Sequence, residues 1–201
     1  MNIKPGMIAY PGTPPCAITP VSRISSGGSS NTSLVSVGTH AGTHVDAPGH
    51  VVEGAGGVET IPPEALLGPA RVMHVMTGQH IEKGDLEGRL LGAKRVLFRT
   101  ANSDGRVLAG QFDRSFSALG ASGAEYLARL KMLLVGVDYL SVDRFKSGTH
   151  PAHSALIGAG VTILEGLNLA GVPEGDYELF CGPLLIPGAD GAPARVFLIE
   201  R

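Results

Sequence analysis

The chain has 201 residues, of which 43% are hydrophobic and 17% are charged, and its formal net charge is −2. This balance is typical of a folded globular protein and excludes a disordered or collagen-like chain. The length is most economically one domain, which we place at residues 1–201. Because the Lys and Arg residues are scattered along the chain, we expect no nucleic-acid partner.

No segment approaches the roughly 18 uninterrupted apolar residues that a membrane span requires, and residues 1–15 lack the layout of a signal peptide. We therefore expect no membrane partner and a cytoplasmic location. Cys16 and Cys181 are far apart and belong to no C-x-x-C motif, so both are interpreted as buried thiols.

Strands are predicted first, because 29 glycines and 14 prolines separate short runs rich in β-branched residues. The alternation around Leu34 and Val35 predicts the first strand, running into the segment that follows it. We expect an α+β fold with a mostly buried mixed sheet or barrel-like core. The predicted strands cover residues 31–38, 70–76, 94–100, 132–138, 161–165 and 178–186.

Three helices are predicted between these strands. In the second, Ser122 is the expected N-cap and forms a capping box with Glu125. In the third, Pro151 suits the first turn and Gly158 the exit. Residues 50–68 are rich in Gly and Pro and are predicted to form a surface loop. The helices are predicted at residues 84–92, 122–131 and 149–158.

Residues 40–50, "HAGTHVDAPGH", concentrate three histidines and one carboxylate in eleven positions. Pro48 excludes a helix, so this segment is extended or looped. Side chains at even positions share one face of an extended chain. That face carries only residues able to bind a metal: His40, His44, Asp46 and His50.

A straight strand would spread these side chains over about 33 Å, so the chain must bend, and Gly42 and Gly49 are where it can. His44 and Asp46 lie two residues apart, about 7 Å between Cα atoms, and could bind one ion together. Imidazole and carboxylate without thiolate suit zinc, manganese or iron. A carboxylate flanked by histidines can also bridge two ions, which favours hydrolytic chemistry.

Histidines outside this segment give weaker signals. His74 and His80 lie in a strand-like run and a polar turn, and we expect neither to take part in chemistry. His150 stands where a helix begins, so a capping or surface role is as reasonable as a functional one. Nothing local makes His153 or Glu165 a metal ligand.

The segment 40–50 resembles the complete H-x-G-T-H-x-D-x-P-x-H signature of the metal-dependent cyclase-like hydrolases, the family of bacterial kynurenine formamidase and isatin hydrolase. The resemblance extends to residues 10–15, 133–143 and 153–169. It implies a swivelling β/β/α-type fold, a small-molecule substrate and a homodimer or homotetramer.

The resemblance also implies a role for each matching residue. His50 would act as proton donor and acceptor, which suits an imidazole whose pKa lies near neutral pH. Asp46 would bridge two ions. Five residues would bind one or two divalent metal ions, Zn or Mn: His40, His44, Asp46, His153 and Glu165.

The chain departs from the family around the substrate pocket. It contains no Trp, Thr13 replaces the more usual Asp, and Val51 replaces the common Phe. The expected reaction is hydrolysis of an amide C–N bond, in an aryl formamide such as N-formylkynurenine or a cyclic amide such as isatin. Hydrolysis of a lactone or ester, or a lyase or cyclase reaction, would use the same metal site. A non-enzymatic metal-binding protein is the less favoured alternative.

Overall fold

A computed structural model describes residues 1–76, 80–105 and 110–200. Four helices are present in these residues: α1 (Pro63–Leu66), α2 (Lys83–Leu86), α3 (Ala121–Arg129) and α4 (Pro151–Gly158). The strands are β1 (Ala17–Ser22), β2 (Thr32–Ser36), β3 (His44–Asp46), β4 (Leu67–His74), β5 (His80–Ile81), β6 (Arg95–Arg99), β7 (Ala118–Leu119), β8 (Leu134–Val137), β9 (Thr162–Glu165), β10 (Gly175–Pro183) and β11 (Gly191–Glu200). None of these helices has the length and apolar content of a membrane span.

Seven strands close into a mixed barrel in the order β10-β11-β3-β9-β8-β6-β4. The run from β4 through β6 and β8 to β9 is parallel, and every other pairing in the barrel is antiparallel. β8 and β9 are buried along their whole length, as expected for parallel strands covered on both faces. The predicted α+β class with a barrel-like core is confirmed.

The hydrophobic core lies on both sides of the barrel wall. One cluster fills the space under α3 and α4, where Leu127 and Leu156 pack with Phe98 of β6. A second cluster includes Val45 of β3 and Leu164 of β9. β9 contributes Ile163 to the first cluster and Leu164 to the second, so both of its surfaces are packed, whereas β3 packs through Val45 on one surface.

The second predicted helix begins differently from the prediction. Gly120, not Ser122, is the N-cap of α3, so the Ser122–Glu125 capping box was wrong. The Ser122 hydroxyl instead donates to a carboxylate oxygen of Glu82 at 2.5 Å. Glu82 itself forms a capping box with Asp85 at the start of α2. The local sequence pattern missed this tertiary partner.

The first predicted strand is present as β2, and it lies outside the barrel. β2 pairs only with β1 in a two-stranded ribbon outside the barrel. Leu34 and Val35 are 61% and 53% exposed. Alternation correctly indicated a strand here, because the pattern reports side-chain direction, but it does not tell what covers each face.

The predicted surface loop at residues 50–68 is more ordered than its composition suggested. It contains α1 and a 3-10 turn at Val58–Thr60, and it buries Val58, Ile61 and Ala65. The Val58 amide donates to the carbonyl of Ala189 at 2.9 Å. This segment is thus held against the loop between β10 and β11.

Candidate metal centre

β3 and β9 bring three acidic or imidazole side chains together on the side of the barrel wall that faces α4. His44 lies directly opposite Glu165 in the antiparallel register. Alternation along β3 sends His44 and Asp46 to one side and Val45 to the apolar core on the other. All three polar side chains are buried.

Glycines let the chain approach this cluster closely. Gly166, with φ +68°, follows Glu165, and a Cβ there would collide with the carbonyl oxygen of Gly42. Gly42 also has a positive φ, +67°, which only glycine adopts without strain. This turn swings His40 back over β3, where its Nδ1 lies 2.8 Å from Asp46 Oδ1.

His50 enters from the 3-10 turn Pro48–His50, whose first residue is the proline of the motif. Its ring centroid lies 4.0 Å from that of His40 and 5.4 Å from that of His153. The side chain is half-buried. His50 therefore lies beside the cluster, at the boundary between the buried cluster and solvent.

α4 supplies His153, whose Nε2 lies 3.3 Å from Asp46 Oδ2 and 3.3 Å from Glu165 Oε1. His44 Nε2 lies 3.4 Å from Asp46 Oδ1 and 3.4 Å from Glu165 Oε2. Each carboxylate thus divides its two oxygens between the two imidazoles. The arrangement offers two adjacent sets of nitrogen and oxygen ligands.

The protonation of the cluster follows from these contacts. Burial lowers the pKa of His44, but the Asp46 and Glu165 carboxylates outweigh burial and raise it to about 10. His153 is affected in the same way, with a pKa well above its ordinary value, because Asp143, Asp46 and Glu165 all contact it. Burial raises the pKa of Asp46, but its histidine neighbours lower it well below the usual range. Without a cation, the carboxylates are therefore balanced by protonated imidazoles.

The cluster fits a divalent cation. His44 Nε2 and Asp46 Oδ2 are buried without a hydrogen bond of good geometry, although buried polar atoms normally have one. Ligand atoms of His44, Asp46 and Glu165 lie within 4.8 Å of one another. A cation between them would satisfy these atoms, and mixed imidazole and carboxylate ligands are typical of catalytic zinc and manganese sites.

Comparison with known proteins shows which family the chain belongs to. The sequence profile of the Cyclase family matches residues 1–144. The chain belongs to the Cyclase family. A kynurenine formamidase from Maricaulis maris (strain MCS10) is 37% identical over 99% of this chain and 95% of its own length.

Solved structures of other Cyclase-like proteins share the fold. A structure described as a potential metal-dependent hydrolase with cyclase activity is 36% identical, with a TM-score of 0.88, over 100% of this chain and 95% of that one. An isatin hydrolase bound to the product analogue thioisatinate has a TM-score of 0.81 over 98% of this chain and 88% of its own. That isatin hydrolase is 22% identical, so it supports the fold alone.

The structure of this Cyclase family member brings all six sequence-predicted site residues into one cluster. His74 lies elsewhere, with Nε2 2.9 Å from the carbonyl oxygen of Val172, and His80 lies in the small β5–β7 sheet. His150, exposed at the N-cap of α4, has Nδ1 3.9 Å from Asp143. Metal binding by the clustered residues stays a prediction: His40, His44, Asp46, His153 and Glu165, with His50 beside them.

Two carboxylates next to the cluster were not anticipated from the sequence. Asp143 contacts His153, and Asp190 contacts His40, with Asp190 Oδ2 3.4 Å from His40 Nε2. Asp190 also accepts a hydrogen bond from Thr39 Oγ1 at 2.9 Å. Neither belongs to the motif, and only the barrel brings residue 190 next to residue 40.

One cavity in the described residues lies apart from the candidate site. It has a volume of about 590 Å³ and lies between the N-terminal residues and β11, with Met7, Thr43 and Val196 in its wall. None of the six clustered side chains lines it. The chemistry of the clustered residues, rather than cavity size, identifies the site.

We expect metal binding to release protons. A cation needs neutral imidazoles, whereas the raised pKa values of His44 and His153 keep both protonated at neutral pH without metal. Near neutral pH, binding should therefore displace about two protons, and the logarithm of apparent affinity should rise with pH with a slope of about two. Calorimetric titration of metal-free protein with zinc, in buffers of different ionisation enthalpy, measures this number. A pH-independent affinity would contradict the assignment.

Proposed function

We propose that this Cyclase family member is a metal-dependent hydrolase that cleaves an amide C–N bond in a small molecule. The observation that carries the proposal is the buried cluster in which Asp46 and Glu165 each face both His44 and His153. The identity to a kynurenine formamidase over nearly the whole chain supports an aryl formamide as substrate. The isatin hydrolase shares the fold, and a cyclic amide such as isatin is therefore included in the test.

His50 is the proposed acid–base residue. Burial is the largest influence on its imidazole and lowers its pKa, so the ring is neutral near pH 7 and can accept a proton. Its position at the edge of the cluster allows it to return that proton to the departing nitrogen. A divalent ion, when bound, supplies polarisation of the carbonyl and lowers the pKa of water. Asp46, Glu165 and the three remaining histidines would hold it.

Zinc or manganese, bound as one or two ions, is the proposed cofactor. We also propose one domain over residues 1–201, a cytoplasmic location, and a homodimer or homotetramer. Apolar side chains exposed outside the barrel support self-association: Ile18, Val21, Leu34 and Val35 on the ribbon, and Phe180, Phe197 and Ile199 on β10 and β11.

Reaction products test the proposal. Purified protein supplied with zinc or manganese is incubated with formanilides, N-formylkynurenine, isatin, lactams and lactones in ¹⁸O-labelled water. Amide hydrolysis incorporates one labelled oxygen into the carboxylic acid product, and formate carries it when a formamide is cleaved. Turnover that leaves the product unlabelled would show a lyase or cyclase reaction, an alternative favoured by the cyclase description of a related structure. Turnover confined to lactones would show an ester hydrolase.

A further inference from the structure

Asp143 lies between β8 and α4 and is buried behind His153. Its Oδ2 lies 2.6 Å from His153 Nδ1, and its Oδ1 accepts a hydrogen bond from the Ala152 amide at 2.8 Å. The other ring nitrogen of His153 faces Asp46 and Glu165. One face of the imidazole is thus held by a carboxylate, while the other is presented to the candidate metal centre.

The three proposed histidine ligands, His40, His44 and His153, differ in the group that contacts the ring on the side away from the candidate ion. His44 Nδ1 lies 3.0 Å from the carbonyl oxygen of Gly42, which is a neutral partner. His40 faces Asp190 at 3.4 Å, and that carboxylate is 53% exposed. Of the three, His153 has the shortest contact with a carboxylate behind it, and this carboxylate is buried.

Val142, the residue before Asp143, also contacts a side chain of the cluster. The Val142 amide donates to Glu165 Oε1 at 2.6 Å. Consecutive residues on one segment therefore orient two of the side chains that would share an ion, His153 and Glu165. This arrangement exceeds what is needed to start a helix.

We propose that Asp143 is a positioning residue that keeps the proton of His153 on Nδ1 and so strengthens ion binding at Nε2. The inference rests on the proposed metal-dependent function. A carboxylate bonded to the second nitrogen of a metal-binding imidazole fixes its tautomer and orientation and makes the ligand more basic. The ion position that includes His153 is therefore bound more tightly than the histidine alone would allow.

A purely structural role is the alternative, because Asp143 also caps the first turn of α4 through Ala152. Asp143→Asn separates the two roles. The Asn side-chain oxygen is a good helix cap and still accepts from the Ala152 amide. Its NH₂ group can accept neither from His153 Nδ1 nor from the His153 amide, which donates to Asp143 Oδ2 at 3.3 Å. The contact with the ring is therefore removed, while the hydrogen bond from the Ala152 amide is kept. Asp176→Asn, at a mostly exposed carboxylate paired with Arg71 and remote from the cluster, is the matched control.

Chelator competition with zinc measures the effect. We expect Asp143→Asn to bind the ion at the His153 position about 10- to 100-fold more weakly. Without metal, the Asp143 carboxylate also balances protonated His153, so the melting temperature of the metal-free variant should fall. Asp176→Asn should bind zinc normally. Histidine ¹⁵N spectra of the zinc-loaded unaltered protein should show a protonated Nδ1 that disappears in His153→Gln.

Two results would overturn the inference. One is unchanged zinc affinity in Asp143→Asn. The other is a zinc-loaded unaltered protein in which His153 carries no proton on Nδ1. If the unaltered protein itself binds neither zinc nor manganese, the proposed function fails, and the inference fails with it. The first two results leave the proposed function intact.

Discussion

Asp46→Asn should abolish metal-dependent activity while leaving the metal-free fold intact. Asp46 contacts His40, His44 and His153 and belongs to two of the three groups of side chains that could hold an ion, so both of those groups lose a ligand. Removing an ion that polarises a carbonyl is worth several kcal/mol in the transition state, so kcat/KM should fall by about 10³-fold or more. Metal analysis measures ion binding, and kcat/KM measures activity. Thermal unfolding with and without zinc measures the stability of the fold.

The stability of the metal-free variant is the informative control. In the metal-free protein His153, His40 and His44 balance the buried Asp46 carboxylate and hold its pKa well below the usual range, so its removal costs more than the relief of its repulsion with Glu165 returns. We expect the metal-free melting temperature of Asp46→Asn to fall, and the increase caused by zinc to vanish. Asp176→Asn serves as the matched substitution. A variant that keeps its zinc and its activity would remove Asp46 from the site.

His50→Gln should retain metal and lose turnover. A general acid–base group contributes about 10²- to 10⁴-fold, so kcat should fall by that factor while zinc stoichiometry is unchanged. The titration that His50 contributes to the pH profile of kcat should also disappear. His80→Gln, which alters a histidine of the separate β5–β7 sheet, is the matched control and should behave as the unaltered protein does.

Loss of zinc from His50→Gln would instead indicate that His50 binds the ion. Ligand atoms of His40, Asp46 and His50 lie within 4.8 Å of one another, so His50 has the geometry of a ligand as well as of an acid–base group. Reduced stoichiometry together with reduced turnover would make His50 a ligand. Unchanged turnover would remove it from the mechanism.

The sequence predicted that His44 and Asp46 share one face, and the structure places both on one face of β3. Positions of equal parity share one face of an extended chain, and His44 and Asp46 do so on β3. The bends expected at glycine are also present, because Gly42 adopts a positive φ that brings His40 over the strand. Local rules sufficed here, since few residues separate these side chains.

The places of His153 and Glu165 in the cluster could not be derived from local sequence pattern. His153 follows the motif by about one hundred residues, and Glu165 reaches His44 only through the β3–β9 pairing. Family resemblance supplied both residues, whereas spacing supplied neither. Asp143 was overlooked for the same reason, because its partner is known only after α4 has been placed against the barrel. The exposure of Leu34 was not predicted, because sequence alternation does not identify a packing partner.

The position of β3 has a consequence for biosynthesis. This three-residue strand is bordered by β9 and β11, so its backbone partners come from residues 162–165 and 191–193. The histidine-rich segment leaves the ribosome long before either partner has been made. Pairing across such separations is slow compared with local folding. The nascent chain is therefore expected to carry these imidazoles and carboxylates exposed to cellular cations until residues 191–193 have been made, and correct metal loading is expected to follow that point.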